Sequence, residues 1–318
     1  DIVRWNLARK SDIPAPSAVS ATNFLGSGSV LVAAGTNALA NGAALLAAYA
    51  GAKALTPSGA ALSASNRAAV ILSPGTYSLG AAPLVLDARF VDLIGLTGDP
   101  AHVLITSACA SNYAGTVVQA TNSIRGAGLT LRNTASTRWH YDPRDAAAYM
   151  PAASCVSSVW ENCVFDDNGG TSWSTGMTTN YNATYIRCTA GYYGFGPQTV
   201  TGTFIGCTGG DSSFGLGANG TYTDCTGGVN AFGRTDAAGT FRNCTAGSGS
   251  FGCFTFSGTA VNCTGGDQSF GNSSMMGTPT ATSRAIGCRV TSGTFRQPNA
   301  GGAVRFCLNA TNGIVNLP

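Results

Sequence analysis

The residues able to do chemistry gather in one short stretch, STRWHYDPRDAAAYMP at positions 136–151. It sets Trp139, His140, Tyr141, Asp142, Arg144, Asp145 and Tyr149 close together in a chain in which only 10% of residues are charged. Flat rings stack on the apolar faces of pyranoses, while carboxylates and a guanidinium bond hydroxyls or acids. Trp139, His140, Tyr141, Arg144 and Tyr149 are therefore the expected glycan-binding set. A blander arrangement competes with this one: the loop packs on the flank, with Asp142 and Asp145 paired to Arg138 and Arg144.

Just beyond lie Asp166 and Asp167, with Glu161, the sole glutamate, a few residues earlier. A glycosidase holds an acid and a carboxylate about 5–9 Å apart across the scissile bond. Asp142, Asp145, Glu161, Asp166 and Asp167 are the candidates for those catalytic roles. Against them, neighbouring aspartates in one strand point to opposite sides, and Asp-Asp-Asn-Gly-Gly is an ordinary turn sequence. A lyase needs a base beside a uronate carboxylate and cations to neutralise that acid. The only lysines, Lys10 and Lys53, fall outside the coils described below, which leaves His140, Tyr141 and Arg144 in a single loop.

No cofactor is expected. There is no Cys-x-x-Cys, His102 and His140 are the only histidines, and a calcium site at Asp166 and Asp167 lacks a further set of oxygen ligands. Gly215, Gly217 and Gly220 fit a dinucleotide-binding spacing, but no helix follows them.

The element that must position these residues is a sentence repeated five times between 184 and 271: TYIRCTAGYYGFG, TFIGCTGGDSSFG, TYTDCTGGVNAFG, TFRNCTAGSGSFG and TAVNCTGGDQSFG. Cys188, Cys207, Cys225, Cys244 and Cys263 recur every 18 or 19 residues, and Phe195, Phe214, Phe232, Phe251 and Phe270 follow them by seven. Degenerate copies surround Cys163 and Cys288. A fixed period near twenty, rich in Gly, Thr and Asn, signals a solenoid.

The slot before each cysteine holds Asn162, Arg187, Gly206, Asp224, Asn243, Asn262 and Gly287. Asn, Asp and Gly tolerate a left-handed backbone cheaply, so a bend is expected there between two short strands. Such a bend turns inward both the cysteine and the residue three before it (Trp160, Tyr185, Phe204, Tyr222, Phe241, Ala260, Ala285). The following Thr then faces out, and Phe is expected on the next strand. Rings, thiols and Phe side chains should pile into three internal columns, and the fold class this implies is all-β, a parallel β-helix.

The other segments are read around that shaft. Residues 1–36 read as an attachment arm, extended at Pro14 and Pro16 and flexible at 26–29. Residues 37–83 hold a capping helix from about Asn41 to Leu55 and a first strand at 69–72, and 84–318 form about ten or eleven coils. The last coil, ending at 314–318, is expected to be open and to invite self-association. Eleven cysteines in a chain otherwise suggest disulfides. Parallel side chains stacked in one slot suit free, buried thiols better. A net charge of +3, thinly spread, gives no nucleic-acid stripe, and no run of eighteen apolar residues suggests membrane insertion. A start at Asp1 reads as a processed or trimmed product without a signal peptide.

A helix, a short apolar strand, Pro74-Gly75-Thr76-Tyr77, and then Phe90-Val91-Asp92-Leu93-Ile94-Gly95-Leu96 resembles the opening of the pectate-lyase-like superfamily of right-handed parallel β-helices. The resemblance covers about residues 37–318. It implies right-handed coils whose N-terminal end is plugged by the helix, and it leaves activity open between enzymes, adhesins and phage tailspikes. The Cys-Thr-Gly-Gly repeats are also similar to those of tail-fibre-like and bacterial surface proteins. Two functions are therefore expected to compete. One is an extracellular, cell-surface or virion rod that self-associates and binds a polysaccharide ligand. The other is a polysaccharide hydrolase or lyase.

Overall fold

Backbone angles at the slot before each cysteine decide the architecture. φ is 51° at Asn162, 51° at Arg187, 61° at Gly206, 54° at Asp224, Asn243 and Asn262, and 63° at Gly287. Each is left-handed, the conformation that Asn, Asp and Gly reach most cheaply. The structure, a computed structural model, describes residues 28–110, 115–135, 147–151, 155, 157–166, 183–196, 198–270, 283–291, 303–308 and 314–317.

Among the described residues the bend separates two long parallel sheets. The first runs through twelve strands, from Ser29–Val32 and Ala68–Leu72 at one end, through Thr203–Ile205, Thr221–Thr223 and Thr240–Arg242, to Ala303–Leu308. The second starts at Gly75–Ser78 and passes through Thr130–Asn133, Val164–Asp166 and Thr208–Gly209; single bridges at Thr226 and Thr245 carry it on to Thr264–Gly265. A third side is built from Leu84–Leu86, Gly115–Gln119 and Ala147–Pro151, and further along from Thr199–Val200, Gly217–Ala218, Asp236–Ala237 and Thr255–Phe256. The chain is a right-handed parallel β-helix. Twelve rungs at about 4.8 Å make a shaft of about 50 Å.

Register converts the repeat into columns. Leu93, Gly126, Trp160, Tyr185, Phe204, Tyr222, Phe241, Ala260 and Ala285 pair successively across the first sheet. Tyr185, Phe204, Tyr222 and Phe241 stack at centroid separations of 5.0, 4.9 and 5.0 Å, their planes within 8°. Phe195, Phe214, Phe232, Phe251 and Phe270 form a second column at 4.9, 4.5, 4.9 and 4.7 Å. The two columns meet edge to face, as at Phe214 and Tyr222 (5.4 Å, 80°). Where the first column shrinks to Ala260, the ring beside Phe270 is supplied by Phe256 from the third side. Gly126 clears space for Trp160, since a Cβ there would lie 2.1 Å from the indole.

The cysteines of the repeat slot, from Cys163 to Cys307, fill the third column, buried and outside any disulfide. Their S–H groups donate along the shaft: Cys207 to the Tyr185 carbonyl and Cys225 to the Phe204 carbonyl, both at 3.4 Å. Burial raises the Cys188 thiol pKa, and the hydrogen bond with the Cys207 thiol pushes Cys225 from 9.0 up to about 12. The threonines after the cysteines face outward, as at the exposed Thr208, Thr226 and Thr245.

Both ends depart from expectation. The segment read as an arm contributes strand Ser29–Val32, which pairs in parallel with Ala69–Leu72 and covers the first edge. Helix α1, Ala38–Ala52, begins earlier than expected because Asn37 caps it, accepting from the Leu39 and Ala40 amides at 3.0 and 3.1 Å. The helix does plug the end. Its buried Asn41 donates to the Thr76 carbonyl at 2.9 Å, satisfying an acceptor on the second sheet's outer edge. Gly42 lies so close that a Cβ would meet the Ser78 carbonyl oxygen at 1.8 Å. At the other end Ile314–Leu317 pairs antiparallel with Ala303–Leu308, occupying an edge expected to be open. The repeat phenylalanines sit in the turn after the second sheet rather than on a strand; φ reaches 56° at Phe251 and 58° at Phe270.

Truncating a central ring, Phe232→Ala, should cost about 3–5 kcal/mol of unfolding free energy. Ser213 occupies the slot that Ala231 fills one coil later, and its hydroxyl is buried without a partner. Ser213→Ala should therefore stabilise by about 1 kcal/mol, with both changes read from urea midpoints. The Cys225 thiol also sets a pH dependence. Its raised pKa means that the folded state keeps protons the unfolded chain releases above pH 9.0. The contribution is full below 9.0 and is lost as pH rises toward 12. Denaturation midpoints should stay level up to 9.0 and fall beyond it; a midpoint that climbs in alkali would contradict this.

Candidate functional site

Most of the expected site, Trp139, His140, Tyr141, Asp142, Arg144 and Asp145, lies outside the described residues, as does Asp167. The strands on either side are defined. Thr130–Asn133 leads into the loop on the second sheet, and Ala147–Pro151 leaves it on the third side, paired with Gly115–Gln119. Asn133 is buried and donates to the Cys109 and Ala147 carbonyls at 3.0 and 3.3 Å, joining the two ends of the loop.

Tyr149 corrects the sequence expectation. Rather than meeting a sugar, its side chain is fully buried. The ring packs edge-on against Trp160 at 4.8 Å and lies 5.5 Å from Phe165. Its hydroxyl donates to Gln119 Oε1 and accepts from Trp160 Nε1 at 3.2 Å, while Gln119 Nε2 donates to the Thr121 carbonyl at 2.7 Å. Every residue of the strand Ala147–Pro151 is buried, and a tyrosine can sit there opposite Val117 because Gln119 and Trp160 satisfy its hydroxyl.

Glu161 and Asp166 stand on either side of the left-handed bend at Asn162, one on the first sheet and one on the second. Asp166 lies directly across from Arg132 on the preceding rung and accepts from its Nε at 2.8 Å and its Nη2 at 2.5 Å. Glu161 accepts from Arg187 on the next coil. Each carboxylate thus belongs to a cross-rung ion pair, the ordinary arrangement for opposite charges on adjacent strands. The structure does not bring these two candidates together as an acid and base facing one bond. No group of three or more His, Cys, Asp or Glu side chains among the described residues could hold a metal ion.

No protein-family model matches the chain, and no curated protein matches it. Solved structures similar in architecture include two pectin methylesterases. The pectin methylesterase PemA from Erwinia chrysanthemi aligns over 76% of this chain and 61% of its own, at 13% identity and a TM-score of 0.28. A pectin methylesterase in complex with a hexasaccharide aligns over 77% and 62%, at 13% identity and a TM-score of 0.29. The chain spans about three fifths of the length of these structures.

A second surface feature had no counterpart in the sequence reading. Where five successive coils enter the first sheet, an open groove of about 280 Å³ is lined by Arg67, Phe90, Ser123, Arg125, Ser157 and Thr184, among others. Its floor is an ion pair. Arg67 Nε donates to Asp92 Oδ2 at 2.8 Å, its Nη2 reaches Asp92 Oδ1, and the same nitrogen donates to the Ser123 carbonyl at 2.7 Å. The Arg125 amide adds a third donor to Asp92 at 3.1 Å. Phe90 takes a left-handed backbone, φ 65°, and its ring lies 5.5 Å from the Arg67 guanidinium and 5.0 Å from that of Arg89. These residues are separated by whole coils of irregular length, so no spacing motif joins them. A Phe immediately before a strand was the one visible sign.

Tyr149→Phe should leave Gln119 Oε1 and Trp160 Nε1 without their shared hydroxyl and cost about 1–3 kcal/mol. Asp166→Asn loosens a partly exposed pair and should cost no more than about 1 kcal/mol. Chemical denaturation of the two variants checks the order; an Asp166→Asn loss larger than that of Tyr149→Phe would reverse this assignment.

Proposed function

We propose that the chain is the shaft of an extracellular or virion appendage, a structural and adhesive rod of tail-fibre or tailspike type. It assembles with itself or with partners and recognises glycans on its flank. The observation that supports this best is the state of the described flank carboxylates. Glu161, Asp166 and Asp92 are each bound to an arginine, and the coils between 184 and 270 repeat a threonine on each side of the bend. A surface of that kind offers length and stiffness, and it holds no facing pair of acids among the described residues.

The second reading is a polysaccharide hydrolase or lyase. It is favoured by one connection: the loop bearing Asp142 and Asp145 leaves the strand Thr130–Asn133, whose Arg132 holds Asp166. Catalysis would use those three carboxylates at a flank reached from that loop.

Two measurements separate the readings. Light scattering on the purified chain should show an oligomer or filament, and a chain that stays monomeric at high concentration would contradict the rod. Incubation with acidic and neutral polysaccharides should release no reducing ends and generate no new ultraviolet absorbance. Activity that vanishes in Asp142→Asn or Asp166→Asn would establish the enzyme instead.

A further inference from the structure

We propose that the thiol column binds soft, two-coordinate cations of the copper(I) and silver(I) class, each ion held in line between the sulfurs of two successive rungs. Neither function weighed above uses these thiols.

The repeat slot supplies one sulfur per rung from Cys163 to Cys307, buried and outside any disulfide. Neighbouring sulfurs lie within hydrogen-bond reach of each other, as Cys207 and Cys225, Cys244 and Cys263, and Cys263 and Cys288 do. Rungs repeat at about 4.8 Å. The ring column keeps that interval, at 4.9 Å between Phe204 and Tyr222 and 5.0 Å between Tyr222 and Phe241. A metal–thiolate bond measures about 2.3 Å, so two in line span about 4.6 Å. One ion between two sulfurs therefore fits the spacing that the coil already imposes. No Cys-x-x-Cys is needed, because the second sulfur comes from the next rung.

Ligand number selects the ion. Sulfurs in single file give each ion two partners, and among the described residues no three or more His, Cys, Asp or Glu side chains gather to hold a metal. Zinc, which takes four ligands, is poorly served there. Soft ions that prefer thiolate and accept two ligands are well served. Parallel side chains stacked in one slot also make a strained disulfide dihedral, so oxidation does not readily consume a pair.

Charge agrees with this choice. When a monovalent ion enters, one S–H bond breaks and its proton leaves to solvent. The ion bonds to the thiolate so formed and to a lone pair of the neighbouring thiol. No electron is transferred, and the pair stays neutral, as burial requires.

The test is titration of the whole chain with silver nitrate in chloride-free buffer. The ion is added to the native protein and, because the sulfurs are shielded, during refolding as well. Silver should raise the thermal midpoint by about 2–4 °C or more. It should also release one proton per ion and produce a sulfur-to-metal charge-transfer band in the ultraviolet, and zinc nitrate should do none of these. Cys225→Ala interrupts the file and should lower the number of ions bound, whereas Cys253→Ala, outside the slot, should not. A midpoint that falls with silver would show that the ion captures the unfolded chain, and the proposal would be overturned. No uptake by either route, or equal stabilisation by zinc, would overturn it too, as would a Cys253→Ala loss as large as that of Cys225→Ala. All but the last of these are read on the unaltered chain, so they stand even where Cys225→Ala does not fold.

Discussion

Every rung of a parallel coil must hand to the next rung the shape it received, and the rest of this structure follows from that constraint. Strands lie about 4.8 Å apart, and the stacked rings sit at 4.5–5.0 Å. Flat side chains repeat at that distance without leaving gaps, whereas branched ones must interlock. The bend makes the stacking possible. Strict alternation would place a ring and a thiol three residues apart on opposite faces, and the left-handed residue between them brings both inside. Thr can then face outward on both sides of the bend without breaking the core.

The thiols close the same geometry. At the bend two carbonyls come within reach of most of these sulfurs, one two residues earlier and one on the preceding rung. For Cys188 these are Ile186 at 3.5 Å and Trp160 at 3.3 Å. A long, weak S–H donor suits that place, because it is small enough to repeat and tolerates burial as a neutral group. Ser213 and Ser269 show the contrast. Their hydroxyls are buried in the turn with no acceptor, while Ser250 in the corresponding place accepts from the Ala231 amide. Hydroxyls fit this core only where a coil happens to offer a partner.

Most of the shaft was legible in its sequence because its determinants are local and recur: a slot of Asn, Asp and Gly, a cysteine one residue later, and a ring three residues before it. The elements that were misread depend on contacts across many residues. Tyr149 sits in a polar stretch and looks like a surface ring. Its environment comes from Gln119 and Trp160, which no pattern in that stretch reveals. Strand Ser29–Val32 follows a glycine- and serine-rich run and becomes ordered by pairing with the strand at 68–72. Phe reads as a strand residue by propensity, but in the repeat it lies in a turn whose backbone is repaid by burying the ring. The start of α1 was the exception, since Asn37 before an apolar run was a cap in plain view.

Uniformity also limits where recognition can reside. A column that repeats the same ring, thiol and threonine presents neighbouring coils that no ligand can tell apart, so specificity has to come from places where the repeat fails. In the described structure the ring column fails at both ends, at Ala260 and Ala285 and in the N-terminal coils. There Leu93 and Gly126 replace rings in the column, and Arg67 and Asp92 form an ion pair with side chains 13% and 8% exposed. Desolvating that pair is costly unless its hydrogen bonds are met, and they are met here by the Ser123 carbonyl and the Arg125 amide. The buried pair ties Arg67, Asp92, Ser123 and Arg125 to one another across three coils.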